Sequence, residues 1–418
     1  MGEILRLRYA LLRMTLNMAK VFLTTTPWQP FHTLRSLFPN IPPLGLQILS
    51  ATLKAAGHEP LIADVQHLPP MHPKFVKMVK DFAPDVIVFT NNCMANTPVI
   101  IRVAKELRSL LGGVKNAVGG QVPSFRPEYF LAGESPAFDA AGLFEGEQVI
   151  APLVDALMGD KTLAEVKGAA YLGPDGKVVK NPLPEPLASA DDYPFPDWEG
   201  SLKQAAFSDG LAAALETSRG CPHGCTFCSI GGYFGNRPRH KSIGRVMEEI
   251  SRLAALGVTE IYLVDDSFGT DIEIAKGVFE GIASRFPEIR CGIQIRADIV
   301  ARHPELMELG ERAGLFAAVV GFEGYTSGSL EAATKGSTAK INRAASDILR
   351  RHGVMVYGTH IFGGPGTTFK DYLATFRQGR RNSDVFRMTI YTPLLGSPLF
   401  DTLETGGKIR THDPREYY

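Results

Sequence analysis

The stretch LAAALETSRGCPHGCTFCSI, Leu211–Ile230, decides how this chain is read. Its first half, AAALETS, has the small apolar composition of a buried strand. It runs straight into a loop with three cysteines, Cys221, Cys225 and Cys228, at C-x3-C-x2-C spacing. A structural zinc site or an ordinary iron–sulfur cluster takes four protein ligands. Three thiolates can instead hold three irons of a 4Fe–4S cluster and leave the fourth iron open. An amino acid suits that iron, because its amine and carboxylate chelate together. The competing reading is a zinc site completed from afar, by Cys291 or a histidine.

Downstream of the loop, apolar runs and helical patterns alternate. Strands are expected at Glu260–Val264, Arg290–Arg296, Phe316–Phe322, Met355–Phe362 and Phe386–Tyr391. The clearest helix is Ser242–Leu256, with Ile243, Val246, Met247, Ile250 and Leu253 on one face, Ser242 as N-cap and Gly257 as stop. Six βα repeats are too few for a closed eight-stranded barrel and predict a partial one. In such sheets the chemistry gathers at the C-terminal strand ends. Those ends carry, in order, the cysteine loop, Asp265–Asp266, Arg296, Glu323, GGPGTT (Gly363–Thr368) and TPLLGSP (Thr392–Pro398).

These groups would suit S-adenosylmethionine as the fourth ligand. Arg296 can pair with its carboxylate, although Asp298 competes as a structural partner. Asp265 or Asp266 can accept from its ammonium, although an acidic turn also caps helices. Glu323 can accept from ribose hydroxyls, and Gly363, Gly364 and Pro365 permit close approach to a flat ring.

Upstream, Lys20 to about Leu157 shows a second alternation. Strands are expected at Lys20–Thr25, Pro60–Asp64, Asp85–Thr90, Lys115–Gly120 and Ala140–Glu147. Between them lie GLQILSATLKAAG, closed by Gly57, and TPVIIRVAKELRSLLGG, with Pro98 in its first turn and Gly112 as stop. Five strands with helices between them predict an open, doubly wound, Rossmann-like parallel sheet. Residues 161–208 read as a connector, with a hairpin turning at Pro174–Gly176 and then a Pro- and acid-rich stretch. The expected division is 1–18 leader, 19–160 first sheet domain, 161–208 linker, 209–400 partial barrel and 401–418 tail. The leader lacks the apolar block and small-residue cleavage site of a signal peptide. It reads as an amphipathic segment or as sequence ahead of a start at Met18.

Bulk composition narrows the classes. The chain has 418 residues, 44% hydrophobic and 21% charged, enough for a large core without disulfides. Lys plus Arg and Asp plus Glu both number 44, so there is no basic excess of the kind nucleic-acid binding uses. No apolar run reaches the roughly 18–20 residues that span a membrane. Clustered cysteines fit a reducing cytoplasm and metal ligation.

The cysteine motif, with Phe227 before its last cysteine, resembles the radical S-adenosylmethionine (radical SAM) superfamily. LVDDSF, QIRAD, VVGFEGYTSGSLEAATKG, IFGGPGTT and YTPLLGSPLF resemble the successive barrel motifs of its cobalamin-binding branch. GLQILSATLKAAGHEPLIAD and VGGQVPSFRPEYF…LFEGEQ are similar to that branch's cobalamin domain, so the resemblance covers roughly Lys20 to Phe400. It implies a 4Fe–4S cluster, S-adenosylmethionine and cobalamin as cofactors. It also implies reductive cleavage to a 5′-deoxyadenosyl radical, an electron donor such as flavodoxin or ferredoxin, and methylation of an unactivated carbon of a small-molecule substrate. A radical cyclisation or rearrangement without methyl transfer is the alternative, and a non-catalytic metal-binding module is the alternative of another class. On the cobalamin side the resemblance implicates Thr90, Asn91, Gly119, Gly120, Gln121, Glu145 and Gly146. One departure is visible. A lower histidine ligand comes from D-x-H-x-x-G in many cobalamin domains, whereas here Asp64 is followed by His67, at another spacing and without the glycine. No general acid or base is singled out.

Overall fold

The computed structural model describes residues 18–27, 41–133, 136–202, 212–333 and 335–416; the leader reading of residues 1–17 lies outside them. The chain divides into two compact units. The first is formed by the chain up to Leu187 with Tyr193–Phe207 and Thr411–Tyr418, the second by Ala188–Asp192 and Ser208–Arg410.

In the first unit, β1 (Lys20–Thr24), β2 (Glu59–Ala63), β3 (Val86–Thr90), β4 (Lys115–Gly119) and β5 (Ala140–Gly142) pair in parallel in the order β2-β1-β3-β4-β5. Alternation along the strands explains why both faces are covered. Val21, Leu23, Val86 and Val88 point to one layer, against Leu46, Leu53, Ile150 and Leu153 of the flanking helices. Phe22 and Phe89 point to the other, against Phe75 and Phe138. Each such fully buried side chain stabilises the fold by about 1.5–3 kcal/mol relative to exposure. Helix Thr97–Leu111 starts with Pro98 in its first turn and stops at Gly112, whose φ is +66°.

The hairpin that the sequence assigned to the connector instead extends this sheet. β6 (Ala169–Leu172) pairs antiparallel with β5, and β7 (Val178–Lys180) pairs antiparallel with β6, making seven strands. Ala169 and Ala170 are fully buried, so the edge of β5 is covered rather than left to solvent.

In the second unit, β8 (Ala212–Leu215), then β11 (Glu260–Phe268), β12 (Arg290–Arg296), β13 (Leu315–Glu323), β14 (Met355–Phe362) and β15 (Val385–Ile390) pair in parallel in chain order. A two-residue pair, β9 (Ser218–Arg219) with β10 (Arg239–His240), lies between β8 and β11 in the chain. Among the described residues β8 and β15 do not pair, so the sheet is an open, partial (β/α)6 arrangement, as the repeat count requires. Helix Ile243–Ala255 takes Ser242 as N-cap, its Oγ accepting from Arg245 N–H at 3.1 Å. Its inner face differs from expectation. Ile243 is 38% exposed, whereas Glu249 is fully buried because Lys241 and Arg245 both donate to it at 2.8 Å.

Candidate functional site

β8 delivers the chain into the cysteine loop, and the end of β11 fastens the loop down. Asp265 is 2% exposed and accepts from Thr217 N–H at 2.7 Å, from Ser218 Oγ at 2.8 Å and from Thr217 Oγ1. Burial pushes its carboxyl up, and the donors from Thr217 and Ser218 oppose that push. Asp266 accepts from Gly220 N–H at 2.9 Å; burial again raises its carboxyl, against that amide. These two residues lie in an irregular stretch of β11 where pairing with β12 shifts between Leu263 and Phe268. Asp265 is thus spent on the loop that carries the cysteines. Three of the lone-pair sites of its carboxylate are taken from inside the protein.

The loop turns tightly. Gly220 has φ +90°, and Cys228 N–H donates to Cys225 O at 3.1 Å. Cys225 is buried and the other two cysteines are half-buried. Burial pushes the Cys228 thiol up to about 11, with Cys225, Cys221 and Asp266 adding to the rise. Burial also raises Cys221; the His223 N–H and Arg296 oppose it, while Cys225 and Asp266 reinforce it. Cys221 and Cys228, buried beside a third sulfur, resist ionisation unless a positive centre joins them. That donor chemistry fits a cluster. Among the described residues, no three His, Cys, Asp or Glu side chains group as ligands of a single metal ion. A cluster spreads its thiolates over separate irons and needs no such convergence. Cys291 is ruled out as the missing ligand of a zinc site: it is fully buried at the start of β12, five residues from the end that carries Arg296, its thiol pushed up to about 12 by burial.

The loop's outer side rests on the segment after β15. Leu399 N–H donates to Thr226 O at 2.9 Å, Thr226 Oγ1 and Tyr391 Oη share a hydrogen bond of 2.8 Å, and Phe227 meets the Tyr391 ring edge-on at 6.2 Å. Gly232 approaches Gly396 so closely that a Cβ would sit 2.2 Å from the Gly396 carbonyl oxygen. Inside the loop, Arg219 Nε donates to Glu216 at 3.0 Å and its guanidinium lies over Phe234.

Arg296 ends β12 at 8% exposure. Nε donates to Asp298 at 2.8 Å, Nη2 to Lys335 O at 2.7 Å, and Nη1 lies 3.6 Å from Cys225 Sγ. Glu323, 5% exposed, ends β13 at φ +59°, a strained value for a residue with a Cβ. Asn342 holds that turn by donating to Phe322 O and Gly324 O at 2.9 and 2.8 Å. Glu323 pairs with Lys335 at 2.6 Å, and Lys335 also donates to Gly321 O at 2.8 Å. Gly321 makes room for the pair: a Cβ there would lie 2.3 Å from Lys335 Nζ. After β14, Gly363 and Gly366 have φ +81° and +75°, and Gly364 O accepts from Thr367 at 3.1 Å (N–H) and 2.6 Å (Oγ1). Ile361, Phe362, Gly363, Gly364, Tyr372 and Tyr391 border one open cleft.

In the first unit, the ends of β3, β4 and β5 carry the residues implicated for cobalamin. Thr90 and Gly119 end their strands half-buried. Asn91 is fully buried: its N–H donates to Gly119 O at 2.8 Å, its side chain donates to Thr97 at 2.9 Å and accepts from Cys93 N–H at 3.1 Å. Gly120 has φ +101°, and a Cβ would meet Asn92 Oδ1 at 2.5 Å and Asn91 O at 2.8 Å. Gln121 N–H donates to Asn92 Oδ1 at 3.0 Å. Phe144 stands at φ +59°, its N–H donating to Ser124 Oγ at 2.7 Å. Glu145 accepts from Tyr193 Oη at 2.5 Å, and Gly146 lies against Leu49. Asn91, Gly120 and Gly146 therefore shape the edge, a glycine-lined backbone rim that fits a large flat cofactor lying on it. His67 is exposed in the loop after β2.

Sequence reasoning passed over Thr217, Ser218, Lys335, Asn342 and the Gly232–Gly396 approach. Only the TSRG before the cysteines and the K-G after the fourth strand hinted at them.

An open parallel sheet of six strands that presents three thiols at its C-terminal edge defines the radical SAM class. The Radical SAM superfamily model matches residues 215–379, and the B12 binding domain model matches residues 33–154. The chain belongs to the cobalamin-binding branch of the radical SAM enzymes, whose cofactors are a 4Fe–4S cluster, S-adenosylmethionine and cobalamin. An uncharacterized methyltransferase of Pyrococcus horikoshii is 29% identical over 90% of this chain and 81% of its own. The anaerobic magnesium-protoporphyrin IX monomethyl ester cyclase of Synechocystis sp. is 27% identical over 84% of this chain and 70% of its own. The radical S-adenosylmethionine methyltransferase TsrM of Kitasatospora setae, solved with cobalamin and a 4Fe–4S cluster bound, superposes with a TM-score of 0.73 at 18% identity. That alignment spans 94% of this chain and 79% of TsrM.

Proposed function

We propose that this enzyme methylates an unactivated carbon of a small-molecule substrate. The observation that carries the reading is the presence in one chain of a B12 binding domain and a three-thiol radical SAM loop. When bound, the cluster with S-adenosylmethionine supplies a carbon radical and cobalamin carries the methyl group. The chain's task is to hold, orient and shield these groups. Cys221, Cys225 and Cys228 hold the cluster, and Asp265 keeps their loop in place through Thr217 and Ser218. Asp266, Arg296, Glu323 and the Gly363–Gly364–Pro365 backbone are the groups assigned to S-adenosylmethionine, Arg296 also lying 3.6 Å from Cys225 Sγ. Thr90, Asn91, Gly119, Gly120, Gln121, Glu145 and Gly146 frame the cobalamin side, in a functional division of 19–160 for cobalamin and 209–400 for radical formation. All five cysteines are free thiols, which supports a cytoplasmic, oxygen-sensitive enzyme served by a flavodoxin- or ferredoxin-type electron donor. None of the described helices is long and apolar enough to cross a membrane.

The name of the Synechocystis relative supports a second reading, radical ring closure without methyl transfer. The test is an anaerobic preparation supplied with iron, sulfide and cobalamin, analysed for both metals and incubated with S-adenosylmethionine and a reductant. Near four irons and one cobalt per chain, with S-adenosylhomocysteine and 5′-deoxyadenosine both formed, support methyl transfer. 5′-Deoxyadenosine without S-adenosylhomocysteine favours ring closure, and a chain without iron defeats both.

A further inference from the structure

The cation beside the cysteine loop supports a step beyond this reading, while resting on it for the identity of the cluster. Arg296 and Cys225 are both buried, so little water screens the charge that Nη1 brings to within 3.6 Å of the sulfur. The guanidinium is also tethered at Nε by Asp298 and at Nη2 by the Lys335 carbonyl, so it cannot swing off the sulfur without breaking both bonds. Asp298 is shared: it also pairs with Arg302, which is largely exposed. The trio Arg296, Asp298 and Arg302 thus carries one net positive charge, with its buried end on a cysteine of the loop.

We infer that Arg296 is a positioning residue that sets the reduction potential of the cluster, and that Asp298 sets how much of its charge the cluster feels. Reduction adds one electron, from a low-potential donor of the flavodoxin or ferredoxin type, and takes the cluster from the 2+ to the 1+ state. No proton moves and no bond is made or broken. The added negative charge is spread over the cluster and its thiolates. A cation in hydrogen-bond contact with one of those sulfurs stabilises the reduced state more than the oxidised one. Asp298 pulls the other way, because it neutralises the guanidinium from its far side. A carboxylate clamp for S-adenosylmethionine would not by itself make the potential of the ligand-free enzyme depend on these two residues in opposite senses.

The experiment is a potentiometric titration, followed by electron paramagnetic resonance, of the full chain carrying its cluster and no S-adenosylmethionine. Arg296→Gln keeps an amide donor but removes the charge. It should lower the equilibrium constant for reduction about tenfold, a shift of ~59 mV to more negative potential for one electron. Asp298→Asn leaves the guanidinium unneutralised and should shift the midpoint in the opposite direction. Opposite shifts at wild-type iron content support the inference. Unchanged midpoints, or shifts of the same sign, overturn it. If Arg296→Gln fails to take up iron, Arg296→Lys and Asp298→Asn decide together: a midpoint near wild type in the first and a raised one in the second are expected, and any other pair overturns it. A wild-type chain that holds no iron overturns the cluster reading and this inference with it, an outcome distinct from a loaded cluster with immobile midpoints.

Discussion

Replacing His360 by Phe should remove a specific slope from the pH dependence of stability. His360 lies in β14 with no exposed surface. Phe322, Tyr325 and Phe386 pack around its ring, and Arg387 O lies 3.1 Å from Nδ1. Gly379 of helix Phe369–Asn382 and Ser383 just after it lie close to its ring. Burial lowers its pKa from the usual 6.5 to about 4, with Lys335 adding to the fall and the backbone groups at Arg387 and Gly358 opposing it. The folded state therefore keeps the ring neutral while the unfolded chain takes up a proton near pH 6.5. Stability is undiminished above about pH 7.5 and is lost as pH falls toward the folded value. The full difference, about 2.5 pKa units at 1.36 kcal/mol each, is about 3 kcal/mol, of which about 2 kcal/mol is gone at pH 5. Phe fits the aromatic surroundings and does not titrate. Urea unfolding of both chains between pH 5 and 8, matched in cofactor content, should give stability curves that differ by a constant above pH 7. They should then converge or cross by about 2 kcal/mol toward pH 5. Parallel curves over the whole range would refute the reasoning, because His360 would then titrate alike in the folded and unfolded chains.

Two further outcomes follow from the geometry. Lys335→Met strands Glu323 in a buried site and should cost about 3–5 kcal/mol in urea unfolding. The double change Lys335→Met with Glu323→Gln should recover part of that loss. Gly120→Ala forces a side chain into φ +101° and against Asn92, and should cost about 1–3 kcal/mol and reduce the cobalt retained per chain.

What the sequence disclosed and what it withheld divide along physical lines. Periodicity and turn residues reveal which faces are buried, so both parallel sheets and the open six-stranded arrangement were legible, and so was the cysteine loop, whose spacing is local. Periodicity does not reveal which polar groups are already spent. Asp265 and Thr217 are 48 residues apart, and only the fold shows that the carboxylate belongs to the loop. The same holds for Arg296, whose three nitrogens find partners 2, 39 and 71 residues away. The hairpin was legible as a hairpin but not as part of the sheet, because antiparallel addition to β5 leaves no mark in the turn residues. Glu249 broke the amphipathic pattern because two cations bury with it.

The order in which the strands pair has a consequence for how the chain is made. β8 and the cysteine loop leave the ribosome early in the second unit. The groups that lie over the loop, Tyr391, Gly396 and the Leu399 amide, come at its end, more than 150 residues later. A nascent chain that stops short of Tyr391 already has all three thiols but none of the backbone and ring that hold Thr226 and Phe227 between them. Synthesis therefore leaves an interval in which the loop carries all its thiols while Thr226 and Phe227 still lack their partners. Finishing the chain supplies them.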